Sequence, residues 1–311
     1  MRVEREPFAM PLSRASVVTI GKFDGVHLGH RAVLRRTVDR ARARGVEAAA
    51  VTFDRNPLVF LRPEIAPPAL TSLERRLELI GETGIDVAVV LDFDGRRALQ
   101  PAEDFVREVL IDGLAARLVL VGSDFRFGAG GLGDPELLER LGHDLGFETE
   151  IIDDVGAPLA ARVSSSEIRR RIADGRVAEA ALLLGSLPSV EGEVVRGNAR
   201  GRDLGYPTAN LAHDAIGVVP ADGVYAGYLV LGADRYPAAI SVSDNPTFGD
   251  VARRRVEAHA LDQDFDIYGR TARVEFAERI RGIERFGGVD ALIDRMQVDE
   301  REARRLLGLS A

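Results

Sequence analysis

Two histidines, His27 and His30, stand three residues apart in the run Gly21-Lys22-Phe23-Asp24-Gly25-Val26-His27-Leu28-Gly29-His30. Residues three apart share one side of a helix start, where two imidazoles can donate hydrogen bonds to an anion as its charge builds. The β-branched run 17–20 before them reads as a buried strand. The spacing of Ala32, Val33, Leu34 and Val38 after them reads as a helix from 29 to 44. Loop 21–30 therefore lies at a strand's carboxyl end and a helix's amino end, where free backbone N–H groups meet phosphate. A Gly-rich turn with packed histidines would explain either imidazole alone, but not the joint spacing of glycines and histidines.

Three further stretches carry chemistry. Ser164-Ser165-Ser166-Glu167-Ile168-Arg169 reads as a second helix start, with Ser164 as N-cap and Glu167 reaching back. Its N–H groups, hydroxyls and Arg169 would form a second anion cradle. Residues 197–210 offer Gly197, Arg200, Gly201 and Arg202 for phosphate, then a proline-fixed Pro207-Thr208-Ala209-Asn210. In a strand Thr208 and Asn210 face one side, and a hydroxyl with an amide oxygen makes a hard-oxygen pair for Mg²⁺. Glu257 and His259 likewise share a side, and a carboxylate there suits general-base work; His259 either orients that base or packs, with packing favoured. In 121–128, Phe125 and Phe127 could stack on a ring system with Asp124 and Arg126 as polar handles, or form a lid without a ligand. His143, in a helix, and His213, in a loop, have no expected role.

The elements that must position these residues are soluble and divided. The 311 residues suit two domains, and 46% hydrophobic with 29% charged residues supplies two cores. A net charge of -8 argues against a nucleic-acid partner. With no cysteine, disulfides, thiolate catalysis and cysteine-held zinc are excluded. No apolar run reaches the roughly 18 residues that span a bilayer, and the acidic N-terminus is no signal peptide, so a cytoplasmic protein without a membrane partner is expected. Lys22 is the only lysine and Phe23 follows it, so a Walker A loop is ruled out.

From 17 to about 155, strands and helices alternate. Strands are expected at 17–21, 46–53, 85–93, 117–122 and 147–153. Helices are expected at 29–44, from a Thr71–Glu74 capping box to Thr83, and at 101–114 and 135–145. That alternation implies a parallel sheet with ligands at the carboxyl ends of its strands. After a helix at 177–184 and a linker at 185–189, short β segments imply a barrel. Gly128, Gly130 and Gly133 satisfy a dinucleotide fingerprint, but the segment 123–127 separates them from the strand and Pro135 starts the helix beyond them.

The histidine run resembles the HxGH signature of nucleotidyltransferases, and its Phe23-Asp24-Gly25 is similar to the prokaryotic bifunctional riboflavin kinase/FAD synthetase family. Ser164–Arg169 and the GxDFxFG-like loop at 122–128 resemble two further elements of that family. Residues 192–211, which nearly spell GxxxGRGRxLGxPTAN, resemble its kinase module, as do Gly223–Gly227, Ser241–Gly249, Val256–Asp262 and Asp266–Gly269.

The resemblance implies a Rossmann-like α/β nucleotidyltransferase domain at 1–186 and a riboflavin kinase β-barrel with a terminal helix at 187–311. It implies that riboflavin is phosphorylated to FMN, and that FMN then takes AMP from ATP to give FAD and pyrophosphate. Thr208 and Asn210 would hold Mg²⁺ and Glu257 would take the proton of the ribityl hydroxyl. His27 and His30 would serve adenylyl transfer, with Gly21, Phe23, Asp24, Gly25, Gly29, Ser164, Ser165 and Arg169 around the ATP phosphates. Asp124, Phe125, Arg126, Phe127 and Asn245 would touch flavin. Arg55, Asn56 and Gly131 depart from the family pattern, which keeps open a kinase with a weak or inactive adenylyltransferase. A flavin-binding regulator without turnover and a transferase for another phosphate ester are weaker readings. Self-association stays open.

Overall fold

The computed structural model describes residues 1–5, 15–152, 163–196, 207–244, 254–263 and 266–309. They form two compact units: Met1–Pro67 with Leu73–Val163, and Pro68–Ser72 with Ser164–Ala311.

The first unit is built on six parallel strands: β1 (Arg2–Arg5), β2 (Ser16–Ile20), β3 (Glu47–Phe53), β4 (Val87–Leu91), β5 (Ala116–Gly122) and β6 (Glu148–Ile152). Their order is β1-β4-β3-β2-β5-β6. Every residue of β2 and β4 is buried, as a sheet covered on both faces requires. Alternation sends Val18, Ile20, Val51, Val89 and Val119 to one face, beneath Phe105, Val109, Leu110 and Leu138. Val17, Ala48, Ala50, Leu118 and Leu120 face the other way, against Leu34, Ala41, Leu79 and Ile80.

The helices of this unit are α1 (Leu28–Arg44), the short α2 (Pro57–Leu61), α3 (Leu73–Gly81), α4 (Gly95–Ala98), α5 (Ala102–Phe105) and α6 (Pro135–Leu145). Beyond α5 the chain continues as a π-helix over Val106–Gly113, where the sequence predicts one uninterrupted α-helix. The predicted Thr71–Glu74 capping box is also absent: α3 begins at Leu73, and the buried Thr71 hydroxyl has no partner among the described residues. From β2 the chain builds outward through β3 and β4, then returns to add β5 and β6 on the other side. The carboxyl ends of β2 and β5 therefore flank a topological switch point, where open α/β sheets bind ligands.

The second unit opens with α7 (Ser165–Ala173) and α8 (Val177–Leu184). Six strands follow: β7 (Ser189–Val195), β8 (Ala209–Leu211), β9 (Gly223–Leu231), β10 (Asp234–Asp244), β11 (Arg254–Ala260) and β12 (Thr271–Arg281). They close a barrel in the order β10-β11-β8-β7-β12-β9, every pairing antiparallel. Tyr225 and Phe276 meet edge to face at its centre, 5.5 Å apart. The terminal helix α9 (Val289–Leu306) lays Ala303 and Leu306 against Ala226 and Leu261.

Candidate functional site

In the first unit the histidine loop leaves β2 at the switch point. His27 is the N-cap of α1, and its Nδ1 accepts the backbone N–H of His30 at 3.3 Å. That bond places the His27 proton on Nε2. The two imidazoles stack with centroids 3.6 Å apart, and Phe23 meets His30 edge-on at 5.4 Å. A Cβ at Gly29 would stand 3.2 Å from His27 Cε1, so any larger residue there would press on that ring. Burial pushes His27 down to about 4. His30 is driven well below its ordinary range, first by burial and then by the charges of His27 and Lys22. Both rings are therefore neutral at pH 7 and can act as N–H donors, and buried His30 Nδ1 has no partner among the described residues.

The turn before them is strained. Phe23 (φ 47°) and Val26 (φ 40°) are left-handed, as is Gly25 (φ 79°). A β-branched residue rarely adopts that conformation, and such strain persists only where the surroundings over-determine it. Phe23 and Val26 are both buried in the core beneath α1. Sequence reasoning missed a further anchor. Buried Arg76 on α3 reaches the Lys22 carbonyl at 2.9 Å, Thr52 Oγ1 at 3.3 Å and the Asp54 carbonyl at 3.4 Å.

The loop after β5, the paired neighbour of β2, carries Asp124 to Phe127. Phe127 is buried in the core against Phe105, and Phe125 stacks on it at 5.3 Å and is only partly buried. Arg126 Nη1 donates to the Phe125 carbonyl at 2.7 Å. Phe127 exchanges both backbone hydrogen bonds with Gly133, and Asp134 caps α6, so the three glycines do not form a strand–turn–helix fingerprint. Two of the departures from the family pattern have local reasons. Asn56 caps α2 by accepting from Leu58 N at 3.1 Å, and Gly131 adopts φ 67°. A second missed feature is an aromatic group at the carboxyl ends of β3 and β4. Phe53 and Phe60 both meet Phe93 edge-on, at 5.7 and 6.3 Å, and Phe60 is 48% exposed.

In the second unit Ser164 caps α7, accepting from Glu167 N at 3.2 Å. Glu167 does not return the bond as the sequence suggests. Its carboxylate takes Arg170 at 2.6 Å and Arg171 at 2.8 Å, which hold it down at about 2. Ser165 opens the helix, and Arg169 Nε donates to the Pro68 carbonyl at 2.7 Å.

The barrel brings Asn210 and Glu257 directly opposite each other on β8 and β11. Asn210 Nδ2 lies 3.2 Å from Thr208 Oγ1, while the buried Asn210 Oδ1 has no partner among the described residues. Turning the amide over would set that orphaned oxygen beside the Thr208 hydroxyl, a donor pair that fits a hard divalent cation. Arg255 Nη1 stands 3.5 Å from Glu257 Oε1. His259, for which packing was favoured over orienting the base, bonds through Nδ1 to the Pro207 carbonyl at 2.9 Å, immediately before Thr208. Gly197, Arg200, Gly201, Arg202 and Asn245 lie outside the described residues.

Two family models match separate parts of the chain. Residues 10–167 match the family described as FAD synthetase, and residues 184–307 match the family described as riboflavin kinase. A bifunctional riboflavin kinase/FMN adenylyltransferase of Escherichia coli K12 is 37% identical over 94% of this chain and 93% of its own length. One from Pseudomonas fluorescens is 35% identical over 97% of this chain and 96% of its own. A solved structure described as a macrolide-efflux protein from Streptococcus pneumoniae superposes with a TM-score of 0.84. It is 32% identical and covers 98% of this chain and 99% of that one.

Proposed function

Because this chain belongs to the bifunctional riboflavin kinase/FMN adenylyltransferase family, we propose a division of its two reactions between named residues of the two domains. The protein phosphorylates riboflavin to FMN with ATP, then joins FMN to AMP from a second ATP and releases pyrophosphate. The two family matches, rather than the name of the streptococcal structure, direct this reading. We place the functional boundary at 186/187, in the turn between α8 and β7.

In the kinase half, Glu257 accepts the proton of the ribityl hydroxyl as that oxygen attacks the ATP γ-phosphorus and ADP leaves. Thr208 and Asn210 are the residues that would hold Mg²⁺, which when bound supplies charge neutralisation at the ATP phosphates. Gly197, Arg200, Gly201 and Arg202 lie just before them in sequence and are assigned to the phosphates, and Asn245 to flavin. The observation that carries this half is Asn210 paired with Glu257 across β8 and β11, with one buried amide oxygen that has no partner among the described residues.

In the adenylyltransferase half no protein nucleophile is needed, because the FMN phosphate attacks the ATP α-phosphorus directly. Neutral His27 and His30 donate N–H bonds to the phosphates as charge collects on departing pyrophosphate. Gly21, Phe23, Asp24, Gly25 and Gly29 shape the turn that presents them. Ser164, Ser165 and Arg169, which lie on α7 and its N-cap in the second unit, are assigned to phosphate on the sequence resemblance alone. Asp124, Phe125 and Arg126 line the flavin side, with Phe127 supporting Phe125 from the core. The exposed edge of the Phe53–Phe60–Phe93 group offers the isoalloxazine a further apolar contact. Dependence of both steps on ATP argues for the cytoplasm as the place of action.

Single variants test the division. Glu257→Ala should lower FMN formation by about 10² to 10⁴ while FMN-to-FAD conversion continues. His30→Ala should do the reverse. Loss of both steps in either variant would defeat the assignment.

A further inference from the structure

We propose that Arg76 is a positioning residue for adenylyl transfer: its buried guanidinium holds the Lys22 carbonyl and so fixes the strained turn that presents His27 and His30. The inference rests on the assignment of those histidines above. Arg76 belongs to none of the motifs that signal the site, and its bonds do not serve its own helix. It reaches out of α3 to the carboxyl ends of β2 and β3, where Nη1 donates to Lys22 O at 2.9 Å and Nη2 to Asp54 O at 3.4 Å. Thr52, itself buried, donates to the same Lys22 carbonyl at 3.2 Å and stands 3.3 Å from Arg76 Nη1. One carbonyl is thus gripped by two side chains from two elements, immediately before Phe23, the first left-handed residue of the turn.

Stability alone does not explain this choice. An arginine buried with its Nε unpartnered among the described residues is a costly filler, and an apolar side chain of similar volume would serve a core at least as well. Burial lowers the Arg76 guanidinium, while Asp24, Asp54 and Glu74 raise it and keep its charge in place. What the arginine adds is a fixed position for the Lys22 carbonyl, and with it the φ values of residues 23–26. A shift of about 1 Å in a catalytic group costs on the order of 10²-fold in rate.

The test uses the full-length chain, with FMN and MgATP as substrates and FAD resolved by chromatography. The same preparations are assayed for riboflavin-to-FMN conversion as an internal control. Arg76→Met should lower the adenylyl-transfer kcat roughly 100-fold, with KM for ATP and FMN changed less than threefold and kinase activity retained. Arg76→Lys, which keeps the charge and one donor group, should recover about tenfold of that loss. Thr52→Val should cost roughly three- to tenfold in kcat. Added to Arg76→Met it should cost almost nothing more, because both side chains act through one carbonyl. Should Arg76→Met fail to fold, Arg76→Lys and Thr52→Val carry the test through the same kcat-against-KM comparison. Wild-type kcat in Arg76→Met, or in both Thr52→Val and Arg76→Lys, would overturn the inference. So would a loss that vanishes when the variant is assayed well below its melting temperature. A His30→Ala arm separates the two levels. If it makes FAD at the wild-type rate, the histidine assignment has failed; if it does not and Arg76→Met does, only the present inference has.

Discussion

Replacing His27 by asparagine separates the cap from the titration. Asparagine is among the strongest N-caps, so His27→Asn keeps an acceptor for the His30 N–H and removes the ionisable ring. Buried His27 titrates at about 4 in the fold against an ordinary 6.5. Between those values the unfolded chain binds a proton that the native state refuses. The stabilisation is therefore fully present above pH 6.5 and is lost as pH falls through that value toward 4. From pH 7 to pH 5 the linkage is about twentyfold in the opening equilibrium, or about 2 kcal/mol. Hydrogen exchange of the most protected α1 amides reads that opening directly, after correction for intrinsic rates. The wild type should lose about twentyfold more protection than His27→Asn over this step. Residual loss in the variant is expected from His30, which shifts in the same direction. Equal loss in the two proteins would refute the claim that His27 is held neutral by burial.

Two further outcomes follow from the second unit. Asn210→Ala should raise the Mg²⁺ concentration for half-maximal FMN formation about tenfold or more and leave FMN-to-FAD conversion unchanged; an unaltered Mg²⁺ titration would remove Asn210 from the metal site. Asp299→Ala should destabilise the barrel by roughly 3 kcal/mol, because it strips a largely buried Arg281 guanidinium of a carboxylate held at 2.5 to 3.1 Å and leaves it only the Gly282 carbonyl as an acceptor among the described residues. A melting temperature within a degree of wild type would show that water replaces that partner at no cost.

Most of the architecture was legible because its elements obey local rules. The β-branched run at 17–20 and the apolar run at 87–91 read as strands and are buried on both faces, and the helix over Val177–Leu184 was predicted with its observed bounds. What escaped was set by tertiary contact. Strand β1, Arg-Val-Glu-Arg, has no apolar pattern and exists because β4 offers it an edge. The π-helical spacing at 106–113 has no signature in composition. Glu167 was expected to complete a capping box and is claimed instead by two arginines of its own helix. At the candidate sites, motif residues announced themselves by type and spacing. Arg76, Thr52 and Phe93 did not, because each matters only through residues 22 to 54 positions away or on a neighbouring strand.

The most direct measurement is a time course of the purified chain with riboflavin, ATP and Mg²⁺, resolving riboflavin, FMN, FAD and pyrophosphate. The expected course is that FMN rises first, that FAD follows at its expense, and that pyrophosphate appears one for one with FAD. FMN accumulating to completion without FAD or pyrophosphate would contradict it, leaving a kinase joined to a silent nucleotidyltransferase.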